Sequence, residues 1–391
     1  MHDPRRLSVY LHVPFCAVRC GYCDFNTYTA TELGGGGSQA EYPANAMREM
    51  DLTLADDARS GVTYDEIGTV FFGGGTPTLL PAEDQARMLA HLTSLIPLAA
   101  GAEITTEANP DSVTRASLAR LADAGVTRVS FGMQSAVPRV LAVLDRTHDP
   151  ESVPRAVQRA REAGLQVSLD MIYGTPTETL ADVEATLAAI TAMAPDHVSA
   201  YSLIVEGNTK MARQLRRGEI QEPDPDFMAD AYELISATLG ADGLEWYEVS
   251  NFARTEDARC RHNLAYWRGG DWWGIGPGAH RHRDGYRAWN VKHPSRYARM
   301  LADGLLPVQE SERVSEADRA MERLMLELRL RDGMALDAIE LLSTPAARRV
   351  LDSYATRGLV DADALCAGRV RVSEAGRLMA DAIVRDLASL D

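Results

Sequence analysis

The sequence predicts an α/β protein: a partial, TIM-like (β/α)6 barrel followed by a mainly helical, winged-helix-like module. Six short β-leaning runs alternate with helical stretches, and the pattern changes character after residue 307. The runs are SVYLHV (8–13), TVFF (69–72), EITT (103–106), RVSF (128–131), VSLDMI (167–172) and HVSAYSL (197–203). Strand, helix, strand repeated in this way demands a parallel sheet with right-handed crossovers. Six such units fall short of a closed eight-stranded barrel.

Between the runs, DSVTRASLARLADA (111–124) carries apolar residues near i, i+3, i+4 and i+7 and stops at Gly125, which predicts a helix. TELGGGGSQ (31–39) reads as a flexible loop, and GIGPG (274–278) as a turn-rich loop closing over the barrel mouth. Beyond residue 307, a long amphipathic helix is expected over 313–331, its apolar stripe running through Ala320, Leu324 and Leu328. A helix over 346–355, a small hairpin from 359–360 and 370–372 flanking Gly368, and a last helix over 374–387 complete the module. The expected division is 1–240 for the barrel, 241–306 for a barrel-closing segment and 307–391 for the C-terminal module.

With 46% hydrophobic and 25% charged residues over 391 positions, the chain has ample material for a buried core. A formal charge of −16 argues against nucleic acid as the main partner, because polyanion binding rests on clustered Lys and Arg. MHDPRRLSVYLHVPF lacks the apolar run of a signal peptide, and no stretch approaches the roughly 18 apolar residues of a membrane span. A cytoplasmic location is therefore expected. The five cysteines are too few and too bunched for a disulfide framework. Three of them fall within eight residues, as a metal site would require.

Cys16, Cys20 and Cys23 form C-x3-C-x2-C directly after the first strand. Thiolates this close suit zinc or an iron–sulfur cluster. A structural zinc ion wants a fourth Cys or His, and Phe25 stands where a nearby one would fall. Three ligands on a four-iron cluster leave one iron open to a bound molecule. Zinc and inert thiols remain the other readings of these residues taken alone.

YLHVPFCAVRCGYCDF resembles the radical S-adenosylmethionine superfamily, and within it the oxygen-independent coproporphyrinogen oxidases and their HemW-type heme-chaperone relatives. The resemblance continues at every strand end to about residue 290. It implies a 4Fe-4S cluster on Cys16, Cys20 and Cys23, with S-adenosylmethionine chelated at the open iron. It further implies contacts to that molecule from Gly74, Gly75 and Thr76 of GGGTP, Glu107 of EANP, Gln134 of GMQS, Arg146 of DRTH and Asp170 of LDMIYG. Tyr10 and Tyr22 resemble residues near the same cofactor. Each has a plainer reading, such as a tight turn for GGG, a helix cap for Glu107 or a surface ion pair for Arg146. The chemistry implied is reductive cleavage of a sulfonium, if it is completed at all.

Two functional classes follow from the resemblance: a heme chaperone that delivers heme to an acceptor protein, and a coproporphyrinogen III oxidase. Other enzymes of the superfamily, such as methyltransferases, form a third. The oxidases carry C-x3-C-x2-C-x-C and a longer N-terminal arm, whereas here Phe25 holds the last position and about nine residues precede Tyr10. Cys260-Arg-His262-Asn263-Leu-Ala-Tyr266-Trp267 contains HNxxYW, which resembles the chaperone branch's motif, with His262 as a heme ligand and Tyr266 and Trp267 against the macrocycle. The plainer reading makes His262 a packed histidine, and His280 with His282 a second candidate pair. No catalytic residue is assigned. The partners implied are heme, an unidentified acceptor, an electron donor if the sulfonium is cleaved, and by peripheral contact a membrane surface.

Overall fold

In a computed structural model, which describes residues 4–33 and 37–390, the six expected runs, Leu203 apart, lie in strands of one twelve-stranded sheet. They are β1 (Arg6–Val13), β2 (Glu66–Gly74), β3 (Leu98–Ala108), β4 (Arg128–Gln134), β5 (Gln166–Tyr173) and β6 (His197–Ser202), paired in sequence order and all parallel. Such strands bury both faces, which is why the runs are almost continuously apolar. Val9, Leu11, Ile67, Val70, Val129, Val167, Leu169 and Val198 are all fully buried.

The sheet does not close. β7 (Glu245–Glu248) and β8 (Asn251–Ala253) extend the β6 edge antiparallel. At the other edge β9 (Trp272–Ile275) pairs parallel with β1, and β10 (His280–Arg283), β11 (Tyr286–Asn290) and β12 (Val308–Arg313) continue antiparallel. The solvent-facing VQESER of β12 shows no apolar alternation, so the sequence does not betray it. Because β12 runs to Arg313, the sheet continues past residue 307, and the helix expected over 313–331 is shorter, Glu316–Glu327. Ser315 starts it by accepting the Asp318 N–H at 3.1 Å.

The helix expected over 111–124 likewise starts late, as Arg115–Asp123. Pro110–Ser112 form a separate turn, and Thr114 and Ser117 make a capping box. In the C-terminal part, helices Glu316–Glu327, Pro345–Thr356 and Ala380–Ala388 pack around their own core of Leu324, Leu328, Leu351, Ile383 and Leu387. The expected hairpin differs: 369–370 pairs with 334–335, and Val360 bridges Val372. The last helix begins at Ala380, after a turn at Arg377–Met379. Of the expected flexible loop, residues 34–36 lie outside the described residues. GIGPG packs beside the cysteine loop: Asn26 Nδ2 donates to the carbonyls of Pro277 (2.9 Å) and Lys292 (2.8 Å).

Candidate functional site

The cysteine loop leaves β1 and is fixed by backbone pairing. Gly75 N–H donates to the Val13 carbonyl (2.8 Å) and Thr76 N–H to that of Phe15 (2.7 Å). Cys16 N–H donates to the Tyr28 carbonyl at 3.0 Å. The GGG turn therefore lies directly under the thiols. Gly74 has φ +113°, and a Cβ there would come within 2.7 Å of the His12 ring. A Cβ on Gly75 would collide with the Phe15 carbonyl and reach within 3.0 Å of Cys16 Sγ.

Cys16, Cys20 and Cys23 line a cavity of about 610 Å³ at the barrel mouth, together with Tyr22, Gly74, Gly75, Thr76, Glu107, Gln134, Arg146 and Asp170. Burial pushes the Cys16 thiol up and takes that of Cys23 to about 11. Among the described residues no three His, Cys, Asp or Glu converge as they would on a single metal ion. An iron–sulfur cube asks for something looser, because each thiolate grips a different iron.

Burial shifts the carboxyls of the cavity toward their neutral forms. Burial first, and then Asp170, push the Glu107 carboxyl up to about 8, while the Gly74 N–H donates to its Oε2 at 3.1 Å. Burial takes Asp170 to about 6, although Ser130 Oγ donates to its oxygens at 3.0 and 3.1 Å. Gln134 sits at φ +63° beyond an irregularity in β4, and its Oε1 is buried without a partner among the described residues. Arg146 donates through Nη2 to the Gly132 carbonyl (2.6 Å) and Asn109 Oδ1 (3.1 Å), and its Nη1 lies 3.7 Å from Cys20 Sγ. Its Nε is buried and unpartnered among the described residues. An orphaned amide acceptor, an orphaned guanidinium donor, two carboxyls poised to ionise and a cradle that any Cβ would fill suit a small molecule carrying both cationic and anionic groups, held beside a cluster.

Tyr10 is not among the residues lining this cavity. Its hydroxyl meets His12 Nδ1 at 3.0 Å, and its ring packs near Phe71 and His262. His262, Tyr266 and Trp267 also lie off the cavity, on the helix Arg261–Trp267. His262 is 1% exposed, with Nδ1 2.8 Å from Thr69 Oγ1 and Nε2 2.7 Å from the Tyr266 hydroxyl. Its ring stacks on Phe71, and burial takes its pKa down to about 4. Both ring nitrogens are thus bonded inside the fold, so His262 could meet a metal only by giving up Thr69 or Tyr266. Tyr266 packs edge-on against Trp272, and Trp267 joins a small core with Tyr247, Leu264 and Leu330. His282 is likewise spent: its Nδ1 is 2.8 Å from the Gly270 carbonyl, and its Nε2 accepts the Gly285 N–H at 3.0 Å.

Sequence reasoning overlooked the cavity floor. Arg128, at 2% exposure, pairs with Glu103 at 2.8 Å and donates to the Ala258 carbonyl at 2.8 Å. Glu103 in turn accepts the backbone N–H of Arg261 (2.7 Å) and of His262 (3.3 Å), so this ion pair roots the HNxxYW helix. A charge opening RVSF and another opening EITT, both in strands buried on two faces, were the available signal.

The profile of the Radical SAM superfamily matches residues 10–190. The chain is 46% identical over 381 residues to the heme chaperone HemW of Mycobacterium tuberculosis, covering 97% of this chain and 94% of that protein. To the protein of the same name from Bacillus subtilis it is 33% identical over 330 residues, 84% of each. The solved structure of Escherichia coli coproporphyrinogen III oxidase (HemN) superposes with a TM-score of 0.81, covering 99% of this chain and 91% of that one at 23% identity, a likeness of fold. With a radical SAM barrel and this similarity along nearly its whole length, the chain belongs to the HemW family of the radical SAM superfamily.

Proposed function

We propose that this protein is a heme chaperone: it binds heme and passes it to an acceptor protein, and it carries a 4Fe-4S cluster and S-adenosylmethionine in the barrel mouth. The observation that carries this reading is 46% identity, along 97% of the chain, to a protein named for heme chaperoning. Cys16, Cys20 and Cys23 would hold the cluster. Gly74, Gly75 and Thr76 would offer backbone to the methionine part, while Glu107, Gln134, Arg146 and Asp170 would meet the remainder, with Tyr22 at the rim and Tyr10 behind. When bound, these groups supply one-electron chemistry at a sulfonium. The chain's own residues orient the cation, counter its charge and exclude water.

A second reading, coproporphyrinogen III oxidase, draws on the shared fold, but a fold does not carry an activity. Phe25 weighs against it. This residue replaces the fourth cysteine of the oxidase pattern, lines the cavity and is 60% exposed. No helix among the described residues is long and apolar enough to cross a membrane, and we place the protein's work in the cytoplasm.

The test has two arms. Anaerobic protein loaded with heme is mixed with apomyoglobin, and transfer is expected to give the holo-globin spectrum. The same protein is incubated with coproporphyrinogen III, reductant and S-adenosylmethionine; formation of protoporphyrinogen would overturn the chaperone reading in favour of the oxidase.

A further inference from the structure

The chain carries a formal charge of −16, yet one short helix beside the cysteine loop is strongly cationic. It spans Lys210–Arg216, is continued by Arg217, and is started by Thr209 Oγ1, which accepts the Ala212 N–H at 3.1 Å. Lys210, Arg213, Arg216 and Arg217 fall three or four residues apart, so they share one face, and all four are exposed. Met211, Ala212 and Leu215 take the opposite face, where Met211 joins a small core with Tyr22, Leu144, Ile172 and Leu203. Two carboxylates answer the four cations: Asp145 meets Lys210 at 2.8 Å and Glu219 meets Arg217 at 3.4 Å. Arg213 and Arg216 donate to the carbonyls of Asn208 (3.2 Å) and Gly207 (3.1 Å), which leaves their charge unbalanced among the described residues.

An exposed run of cations is ordinarily no more than a solvated face. This one is set apart by what it rests on. Met211 N–H donates to the Gly21 carbonyl at 2.9 Å, and Gly21 stands between Cys20 and Cys23. Asp145, the partner of Lys210, packs so closely on Gly21 that a Cβ there would collide with its carboxylate. The helix is therefore one backbone hydrogen bond from the thiol loop. Just before Cys20 that loop is itself open to solvent at Ala17, Val18 and Arg19, and Val18 is 55% exposed.

We propose that helix Lys210–Arg216 and the open thiol loop form the docking face of a small, acidic electron-transfer protein that reduces the cluster. This inference rests on the cluster part of the preceding reading and gives it a partner. One electron leaves the reduced centre of the carrier and takes the cluster from 2+ to 1+, with no bond made or broken in the chain. Charge selects this occupant, because a chain of −16 repels an acidic carrier elsewhere and attracts it here, and such steering raises association rates by about 10- to 1,000-fold. Size agrees with it. One short helix and a three-residue loop offer the limited contact of a transient redox encounter, which must part after each transfer. An anionic membrane would meet the same cations but gain nothing from their place against the thiols.

The experiment uses purified flavodoxin, an acidic flavoprotein, as the probe. Labelled flavodoxin is titrated anaerobically with cluster-loaded and with cluster-free protein and followed by fluorescence anisotropy. The proteins are wild type, Arg213→Glu/Arg216→Glu, and Arg348→Glu/Arg349→Glu, which makes the same charge change at exposed positions of helix Pro345–Thr356. Far-UV circular dichroism and iron content are measured on each. Wild type is expected to bind at about 20 mM ionic strength and to weaken steeply toward about 0.5 M. The Arg213/Arg216 variant should lose at least about tenfold in affinity at low salt, with or without the cluster, while the control pair stays within about twofold. Reduction of the cluster by reduced flavodoxin should slow in step, and reduction by dithionite should not. Absent binding by wild type, equal affinity in the Arg213/Arg216 variant, or an equal loss in the control pair would each overturn the proposal. Intact flavodoxin binding beside a loss of heme affinity, or of binding to anionic vesicles, would give the arginines another partner and refute it too. Wild type that takes up no cluster would sink the cluster reading, while the titration of cluster-free protein would still decide the docking face.

Discussion

Glu107 gives the sharpest handle on the barrel-mouth site. Its carboxyl is raised to about 8 by burial and by Asp170, so at pH 7 it is mostly protonated. A cationic ligand favours the ionised form, so binding pulls the pKa down and expels the proton. From a pKa near 8, about nine tenths of a proton should leave per ligand bound at pH 7. Affinity should rise about tenfold between pH 7 and pH 9, equivalent to about 1.4 kcal/mol, and then level off. Asp170, at about 6, is largely ionised already and adds little. The assay is calorimetric titration of cluster-loaded protein with S-adenosylmethionine in buffers of differing ionisation enthalpy, wild type against Glu107→Gln. The ligand's own ammonium also sheds a proton if its amine chelates iron, so the difference between the two proteins is the readout. Equal proton release from both would refute the assignment of Glu107 to the cation.

Replacing any of Cys16, Cys20 or Cys23 by Ala should abolish the anaerobically reconstituted cluster, read as iron and sulfide content and the visible chromophore; retention in all three would refute the ligand set. Glu49, 2% exposed, accepts from Gly276 N–H (2.8 Å), Asn290 (2.6 Å) and Tyr297 (2.6 Å), yet burial takes its pKa to about 7. A raised acid pKa means that the folded chain binds the proton more tightly, so stability is greatest below the unfolded value and falls as pH climbs through 7. The loss is at most about 3 kcal/mol. Urea midpoints of the cluster-free protein should drop between pH 5 and 7.5, less steeply in Glu49→Gln; a midpoint that rises over this range would contradict the sign. Arg128→Ala should cost about 3–5 kcal/mol in urea unfolding by stranding Glu103, and Arg128→Met with Glu103→Leu should recover much of it. Equal losses in the single and double variants would remove the ion pair from the account.

What could be read in advance was whatever local periodicity encodes. The parallel strands are buried on both faces, so VSLDMI and its counterparts stand out as apolar runs, and the thiols and polar residues at their ends fall on the same side of the barrel because all six strands point one way. β12 has no such signature, since an edge strand shows one face to water and carries charge there. Nor could spacing along a helix reveal what His262 faces. The i, i+4 relation brings Tyr266 onto its side, where its hydroxyl lies 2.7 Å from Nε2.

The same buried network ties the HNxxYW helix to the barrel. The HNxxYW helix presents its first backbone N–H groups to Glu103, whose charge is balanced by Arg128 in the cavity floor. From its other side Tyr266 supports Trp272 in β9, the strand that joins the antiparallel extension to β1. A buried polar chain of this kind has few alternative arrangements, because breaking any one bond strands a desolvated group at a cost of about 1–3 kcal/mol. It therefore holds the barrel floor and β9 in one fixed relation. Substitutions in the motif are therefore expected to loosen the barrel floor and β9 together, whatever the helix itself touches.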